Sequence, residues 1–457
     1  MFLQISLIFV LIFVIFQTFY MFIPLLTIKG LNKYKKVDKE NGVSILIPAY
    51  NEEKVILNCL QGIVNLNYNN VEAIFINDGS TDRTLDILTQ HLQLVPVYNR
   101  LPAVKIPHEA IIDIYASTLY PKVLVIDKKN GGKADALNAG IEYARKEYVV
   151  TLDADSILDK ESLHVINSTF SDNHILAIGG MVQIGQGFQG NYLKPRPTFI
   201  NPGIIRFQIL QYFTAFYMHK YTQSKLKSIT VIAGAFGAFR RKVLFEVDGF
   251  RKTIGEDMDI TLKIQRLIKT KYKNHRLIFV PQALCYTECP ETFRALFNQR
   301  VRWQKAFVDC FFMYRKNFFH KLGVRLSLFF LGDGVLLGTI NAFTALLIPL
   351  FLIFNRDHYM VALGLFTITF ILGIFQSIAT IEVSKRLGIK YTRMDYLRIS
   401  LFIPLEIVTY RLLGILFVTI GTFMFFVNKD KWDKANRTGT NYQMYEDVPL
   451  LENHKAM

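Results

Sequence analysis

The stretch Val43-Ser44-Ile45-Leu46-Ile47-Pro48-Ala49-Tyr50-Asn51-Glu52 sets the reading of the fold. Residues 43–47 are mostly β-branched or aliphatic and run into a proline, which closes a strand. Residues 51–64 then carry Val55, Leu57, Leu60 and Ile63 at helical spacing, with Glu52 and Glu53 in the first turn, where the helix dipole favours acids. The alternation returns: strand 71–76 and helix 81–92 with Asp82 in its opening turn, strand 123–126 and helix 133–146, then strand 148–152. Strands alternating with helices predict an α/β domain with a mostly parallel sheet covered on both faces. In such sheets ligands gather at the carboxyl ends of the strands, near a switch in strand order.

Each strand end is polar. After the first comes Pro48-Ala49-Tyr50-Asn51-Glu52, after the second Asn77-Asp78-Gly79-Ser80, after the third Asn130-Gly131-Gly132-Lys133, and after the fourth Asp153-Ala154-Asp155. Asn and Asp also serve as caps and turn formers, but four such ends in one sheet converge on one crevice. In an extended segment the carboxylates of Asp153 and Asp155 face the same side. Such a pair suits a hard divalent ion that shares phosphate oxygens of its ligand. Lys133, at a helix start after two glycines, is placed to meet phosphate charge, although the Walker spacing is absent. Asp78 is placed to accept from a base or ribose.

Two later stretches carry chemistry. Gly255-Glu256-Asp257-Met258-Asp259 reads either as an acidic helix start or as the carrier of a general base that removes a hydroxyl proton. Gln299-Arg300-Val301-Arg302-Trp303 joins an amide, two cations and an indole ahead of an aromatic and basic segment, 307–315, that suits a membrane interface. Gly185-Gln186-Gly187-Phe188-Gln189-Gly190 matches a dinucleotide fingerprint but opens no helix, so it is set aside. Cys285 and Cys289 lack zinc partners at the usual spacing and read as ordinary thiols.

The ends of the chain differ from its middle. Of 457 residues 51% are apolar, and 53 Lys and Arg against 37 Asp and Glu give a net charge of +16. That combination excludes a disordered protein and points to a membrane protein with a basic cytoplasmic surface. Residues 3–28 hold no charge and predict a retained membrane helix, followed by Lys29, Lys33, Lys35, Lys36 and Lys39 on the cytoplasmic side. Residues 331–354 and 360–381 predict two further spans. Residues 401–427 contain Glu406 and Arg411, so this segment is expected to begin at the interface and enter the membrane near Leu412, leaving the basic tail 429–437 inside. The basic residues sit beside the membrane segments, which argues against nucleic acid as a partner.

Taken in order, IPAYNE at 47–52, NDGS at 77–80, GGKADALN at 131–138, DAD at 153–155, GEDMDIT at 255–261 and QRVRW at 299–303 resemble the motifs of the processive, membrane-embedded family 2 glycosyltransferases. That group includes the cellulose, hyaluronan, chitin and poly-N-acetylglucosamine synthases. The resemblance spans about 43–315. It implies a GT-A-like nucleotide-sugar-binding domain over 42–290, an N-terminal transmembrane helix over 1–30, interfacial helices over 291–325, a C-terminal transmembrane region over 326–428 and a polar tail over 429–457.

The resemblance also implies roles. Ala49, Glu52 and Asp78 would lie around the uridine with Lys133 nearby, Asp153 would contact the nucleotide, and Asp155 would ligate Mg²⁺ or Mn²⁺ on the diphosphate. Asp257 would be the general base. Gln299, Arg302 and Trp303 would hold the diphosphate and the acceptor sugar at the mouth of a membrane channel, with AGAFGAFRR at 233–241 as the acceptor-side loop. The reaction implied is a single inverting displacement from a UDP-sugar onto a growing polysaccharide or glycan, coupled to export, by a multi-pass protein with a cytoplasmic catalytic domain. GGKADALN and the tail 432–439 tilt the donor toward UDP-N-acetylglucosamine. A nonprocessive membrane transferase with a lipid or short-glycan acceptor is the alternative, and a transporter would need more spans. Membrane lipid is an expected partner, and accessory membrane subunits fit the pattern. Two features depart from the family: Gly255 stands where Thr is common, and one N-terminal helix stands where many members have two.

Overall fold

The computed structural model describes residues 2–30, 34, 37, 39–98, 100–102, 104–190, 194–354, 359–428 and 439. Lys33, Lys35, Lys36 and the basic tail 429–437 lie outside the described residues. The strands are β1 (Val43–Ala49), β2 (Val71–Asp78), β3 (Leu94–Pro96), β4 (Ile111–Ser117), β5 (Val123–Lys128), β6 (Tyr148–Leu152), β7 (Ser156–Leu158), β8 (Ile175–Ile184), β9 (Phe188–Gln189), β10 (Arg196–Pro197), β11 (Phe236–Arg240) and β12 (Arg276–Thr287). Among the described residues ten of them form one sheet in the order β3-β4-β5-β2-β1-β6-β11-β8-β12-β7.

The block β5-β2-β1-β6 is parallel throughout. From β1 the chain adds β2 and β5 on one side and β6 on the other, so the order reverses between β1 and β6, which opens a crevice at their carboxyl ends. Both faces of these strands are aliphatic and buried: Ile45, Leu46, Ile47, Ile74, Ile76, Val125, Ile126, Val149 and Val150 are all at most 1% exposed. Each such side chain contributes about 1.5–3 kcal/mol by leaving water. β11 runs antiparallel to β6 with Phe236 opposite Leu152, so the loop before β11 arrives directly beside Asp153.

Three local expectations change. β1 continues through Pro48 to Ala49. Its pairing with β6 ends at Leu46, whereas its pairing with β2 continues to Ala49, so the missing proline N–H falls where the β6 ladder has already stopped. The first helix spans Ile56–Val64, not 51–64. Asn51 takes a left-handed φ of 55°, and the amides of Asn51, Glu52 and Glu53 bond Ser80, Thr84 and Asp82 instead of starting a helix. The second helix starts at Thr84, whose amide Asp82 accepts at 2.9 Å.

The apolar ends are helical. Phe2–Thr27 is a single helix. Val324–Leu347, Ala362–Arg386 and Arg393–Val427 are three helices long and apolar enough to cross a membrane. The last, expected to begin at the interface and enter the membrane near Leu412, is one unbroken helix. Arg411 Nε lies 3.3 Å from Glu406 within it, and its other nitrogens reach Gln376 and Ser377 at 3.3 Å, so the two charges answer each other inside the bundle. Residues 355–358, between the expected spans 331–354 and 360–381, lie outside the described residues. The glycine-rich stretch at 185–190 makes a short turn followed by strand β9, with no helix for a pyrophosphate.

Candidate active site

At the crevice the donor side is built around a buried acid. Asp78 ends β2 and is 2% exposed. Its Oδ1 accepts from Lys128 Nζ at 2.6 Å and from Gly131 N at 3.0 Å, and its Oδ2 accepts from Gly132 N at 2.8 Å. Lys128 is fully buried and also meets Asp135 at 2.5 Å. Asp78 therefore turns inward and shapes the Gly131-Gly132-Lys133 loop, where the sequence suggested an outward contact with base or ribose. A Cβ on Gly131 would run into the Asp135 carboxyl, and Gly132 sits at a φ of 93°, so both glycines are required by this tight approach. Lys128 and Asp135 had not been singled out. Lys128 continues the inward alternation of Leu124 and Ile126 along β5, a signal that was available.

Asp153 and Asp155 stand on a turn, not on extended backbone. Ser156 N donates to Asp153 O at 2.9 Å and closes it. The two carboxylates consequently take different partners. Asp153 stays partly exposed and pairs with Lys133 Nζ at 2.5 Å. Asp155 is 4% exposed, and its Oδ1 accepts from Ser156 Oγ at 3.1 Å and Thr287 Oγ1 at 3.3 Å. The thiol of Cys59 lies below them; burial raises its pKa, and the charges of Asp155, Asp153 and Glu52 raise it further, which places those three acids around one point. Ala49 is buried at the end of β1, opposite Asn77.

Across the crevice the helix Glu256–Thr270 begins. Lys133 Nζ lies 3.4 Å from Glu256, which the sequence reading had passed over. Burial pulls the Lys133 pKa down, but Asp153 and Glu256 overcome this and hold it above the ordinary lysine range. Burial pushes Glu256 up, against Lys133. Asp257 is oriented by two backbone amides: Met258 N reaches its Oδ1 at 2.8 Å and Gly234 N its Oδ2 at 3.3 Å. Gly234 belongs to the loop before β11, which Thr261 also anchors through Ile232 N at 2.9 Å. Asp259, two residues on, is fully buried and tied to Arg251 at 2.8 Å and Tyr314 at 3.1 Å. Arg251 also reaches Asp309 at 2.7 Å, so this cluster fastens the helix to Phe293–Tyr314.

That contact explains Gly255. A Cβ there would stand 2.7 Å from Ala306 Cβ, so the close approach of the two helices excludes a threonine. On the helix Phe293–Tyr314, Trp303 is 42% exposed, and Arg302 lies near enough to Glu256 to lower its pKa. Gln299 keeps a buried amide oxygen without a donor. The structure thus brings Glu52, Lys133, Asp153, Asp155, Asp257 and, through Glu256, Arg302 to one crevice, and keeps Asp78 beneath it.

Among the described residues no three His, Cys, Asp or Glu side chains form a metal cluster by themselves. Asp153 and Asp155 are a hard oxygen pair at the crevice. Two carboxylates fit Mg²⁺ or Mn²⁺ when a diphosphate supplies the remaining oxygens.

A sheet that reverses at β1/β6, an acid pair on the turn after β6 and an oriented acid on a facing helix start define the mixed α/β fold of the GT-A transferases. Similarity in three dimensions agrees. A mannosyltransferase from Pyrobaculum calidifontis in complex with GDP-Man and Mn²⁺ superposes with a TM-score of 0.57 and 14% identity, covering 93% of this chain and 99% of that one. The model of Glycosyl transferase family 2 matches residues 44–247 and that of Glycosyl transferase family group 2 matches 148–374. The chain belongs to the family 2 glycosyltransferases. It is similar to the poly-beta-1,6-N-acetyl-D-glucosamine synthases of Staphylococcus aureus (strain COL), at 28% identity over 59% of this chain and 55% of the relative, and of Staphylococcus epidermidis, at 29% over 58% and 54%. The chain spans about half the length of these curated relatives.

Proposed function

We propose that this chain is a membrane-embedded inverting transferase that extends a β-linked glycan with N-acetylglucosamine from UDP-N-acetylglucosamine and passes the product across the membrane. The observation that carries the reading is Asp257, held by two backbone amides and facing the Lys133–Asp153 pair across the crevice. With both oxygens fixed from the protein side, the carboxylate is oriented to take the proton of an acceptor hydroxyl as that oxygen attacks the anomeric carbon. One carboxylate suffices, because attack on the face opposite the leaving UDP inverts the centre and needs no enzyme nucleophile.

Lys133, Asp153 and Arg302 handle the leaving group. Lys133 carries its charge at neutral pH and can exchange Asp153 for a phosphate oxygen, so the cation meets the charge that grows on the departing diphosphate. Arg302 acts from the helix opposite. Asp153 and Asp155 would hold Mg²⁺ or Mn²⁺, and that ion would supply further charge neutralisation on the diphosphate. Ala49, Glu52 and the loop fixed by Asp78 form the nucleotide side. Gln299 and Trp303 form the acceptor side. The helices 2–27 and 324–427 seat the enzyme in the bilayer with the sheet on the cytoplasmic side.

The test is turnover by the full chain in lipid nanodiscs, offered UDP-N-acetylglucosamine, UDP-glucose and UDP-glucuronate with Mg²⁺, Mn²⁺ or EDTA. The expected result is metal-dependent UDP release with the first donor and a product many sugars long. UDP release from none of them refutes the activity, and transfer of one sugar only refutes the polymer reading.

A further inference from the structure

Residues 228–235 form neither helix nor strand, yet they deliver Gly234 N to Asp257. Their shape must come from contacts outside the segment. Asp257, Thr261 and Gln265 lie four apart on one face of the helix Glu256–Thr270. Along that face Gln265 Nε2 donates to Ile229 O at 2.9 Å, Ile232 N to Thr261 Oγ1 at 2.9 Å and Gly234 N to Asp257 Oδ2 at 3.3 Å. One edge of the loop is thus laced to the helix that carries the acid.

The other edge is held by Lys220, whose Nζ donates to Val231 O at 2.6 Å. Val231 O and Ile232 N belong to one peptide unit, and in a trans peptide they point in opposite directions. Thr261 grips that unit by its N–H and Lys220 by its carbonyl, so its plane cannot turn. Lys220 ends a seven-residue π-helical turn, Thr214–Lys220. Such turns are rare and recur at functional sites. His219, the residue before it, stacks on Tyr20 of the first helix at 4.1 Å, so the turn stands between that helix and the loop. Lys220 Nζ also lies 5.3 Å from the centroid of the Phe216 ring, which steadies its direction. From the donor side Lys133 Nζ reaches Gly234 O at 3.5 Å. The loop therefore hangs between two lysines, and the charge of Asp257 acts on both.

We propose that Lys220 is a positioning residue for the transfer: by clamping the 231–232 peptide against Thr261 it fixes where Gly234 N meets Asp257, and so sets the direction in which that carboxylate faces an acceptor hydroxyl. This rests on the reading of Asp257 as the general base. Lys220 acts through the loop and Asp257, not on the donor. A lysine serves where a neutral donor would serve less well, because a charged hydrogen bond to a carbonyl is the stronger one.

The test uses the full chain in lipid nanodiscs. Hydrogen exchange of the unliganded protein reads the clamp without any turnover. Lys220→Met should speed exchange in peptides covering 228–236 about tenfold, the scale of one hydrogen bond to a charged group, while the rest of the chain exchanges as in the parent. Lys220→Arg, which still donates, should keep the parent rates. Transfer from UDP-N-acetylglucosamine reads the consequence. Lys220→Met should lower kcat about tenfold with the donor KM unchanged, and Lys220→Arg should recover most of it. In an Asp257→Asn background Lys220→Met should cost nothing further, because the two changes remove one effect. Unchanged exchange over 228–236, or faster exchange throughout the chain, overturns the proposal. So does an equal loss of kcat in both Lys220 variants, a raised donor KM, or an additive loss with Asp257→Asn. The two ideas fail separately: a parent that transfers no sugar refutes the reaction while the exchange rates still judge the clamp, and normal transfer by Lys220→Met beside an active parent refutes the positioning alone.

Discussion

Asp78 and Arg300 are both buried charges near the candidate site, one beneath the Gly131-Gly132-Lys133 loop and one on the helix Phe293–Tyr314. Asp78 meets Lys128 and the amides of Gly131 and Gly132, and Lys128 in turn meets Asp135. Arg300 meets the Trp303 ring at 4.1 Å and the Tyr410 hydroxyl, both neutral. The network around Asp78 holds the Gly131-Gly132-Lys133 loop in shape through paired charges and backbone amides. Around Arg300 the neighbours are aromatic instead of ionic.

The comparison can be broken in several ways. The largest effect belongs to the point where the sides meet. Asp257→Asn should lower transfer by about 10²–10⁴-fold, the usual contribution of a general base, with UDP affinity unchanged by calorimetry; near-normal turnover would remove the base from Asp257. Next is the donor-side network. Lys128→Met leaves Asp78 and Asp135 facing each other unneutralised, and removing one partner of a buried pair costs about 3–5 kcal/mol. A fall in unfolding temperature and in UDP affinity is expected, whereas Arg300→Met, which exchanges a stacked cation for an apolar chain, should lower the unfolding temperature by less. Equal thermal loss in both would erase the difference between the two sides.

A smaller effect tests the helix contact that joins them. Gly255→Thr overpacks against Ala306 and should cost about 1–3 kcal/mol, with Ala306→Gly restoring most of it in the double variant; no coupling between the two would mean that the helices are not held this close. The smallest concerns Lys220, behind Asp257. Burial lowers its pKa from 10.5 to about 8, against the pull of Asp257. Between these values the unfolded chain keeps a proton that the folded chain has released, so stability should rise from about pH 8 toward 10.5. Lys220→Met should flatten that slope in thermal scans.

Much of this was legible. β1, β2, β5 and β6 are short aliphatic runs closed by polar residues, and each lies within two residues of its predicted end. The acids at 153, 155 and 257 stand at the crevice that the alternation pointed to. What sequence spacing could not give was tertiary. Asp153 and Asp155 look equivalent until the turn closed by Ser156 N gives them different partners. Glu52 and Glu53 look like helix-start acids until Ser80, Thr84 and Asp82 take the amides of that segment. Asp78 looks exposed until Lys128 arrives from a neighbouring strand. The strands from β7 onward pair out of order around β11 and include a long bulged β12, so no local period announced them. Arg300 was visible only as one of two cations, because its burial against Trp303 and Tyr410 is a property of packed helices.

The most direct measurement of the central claim is the anomeric configuration of the product. The full chain in nanodiscs would be given UDP-N-acetylglucosamine and Mn²⁺, and the glycan analysed by NMR beside that of Asp257→Asn. A β-linked polymer from the parent and none from the variant is the result predicted. An α-linked product, or equal polymer from both, would contradict a single displacement driven by Asp257.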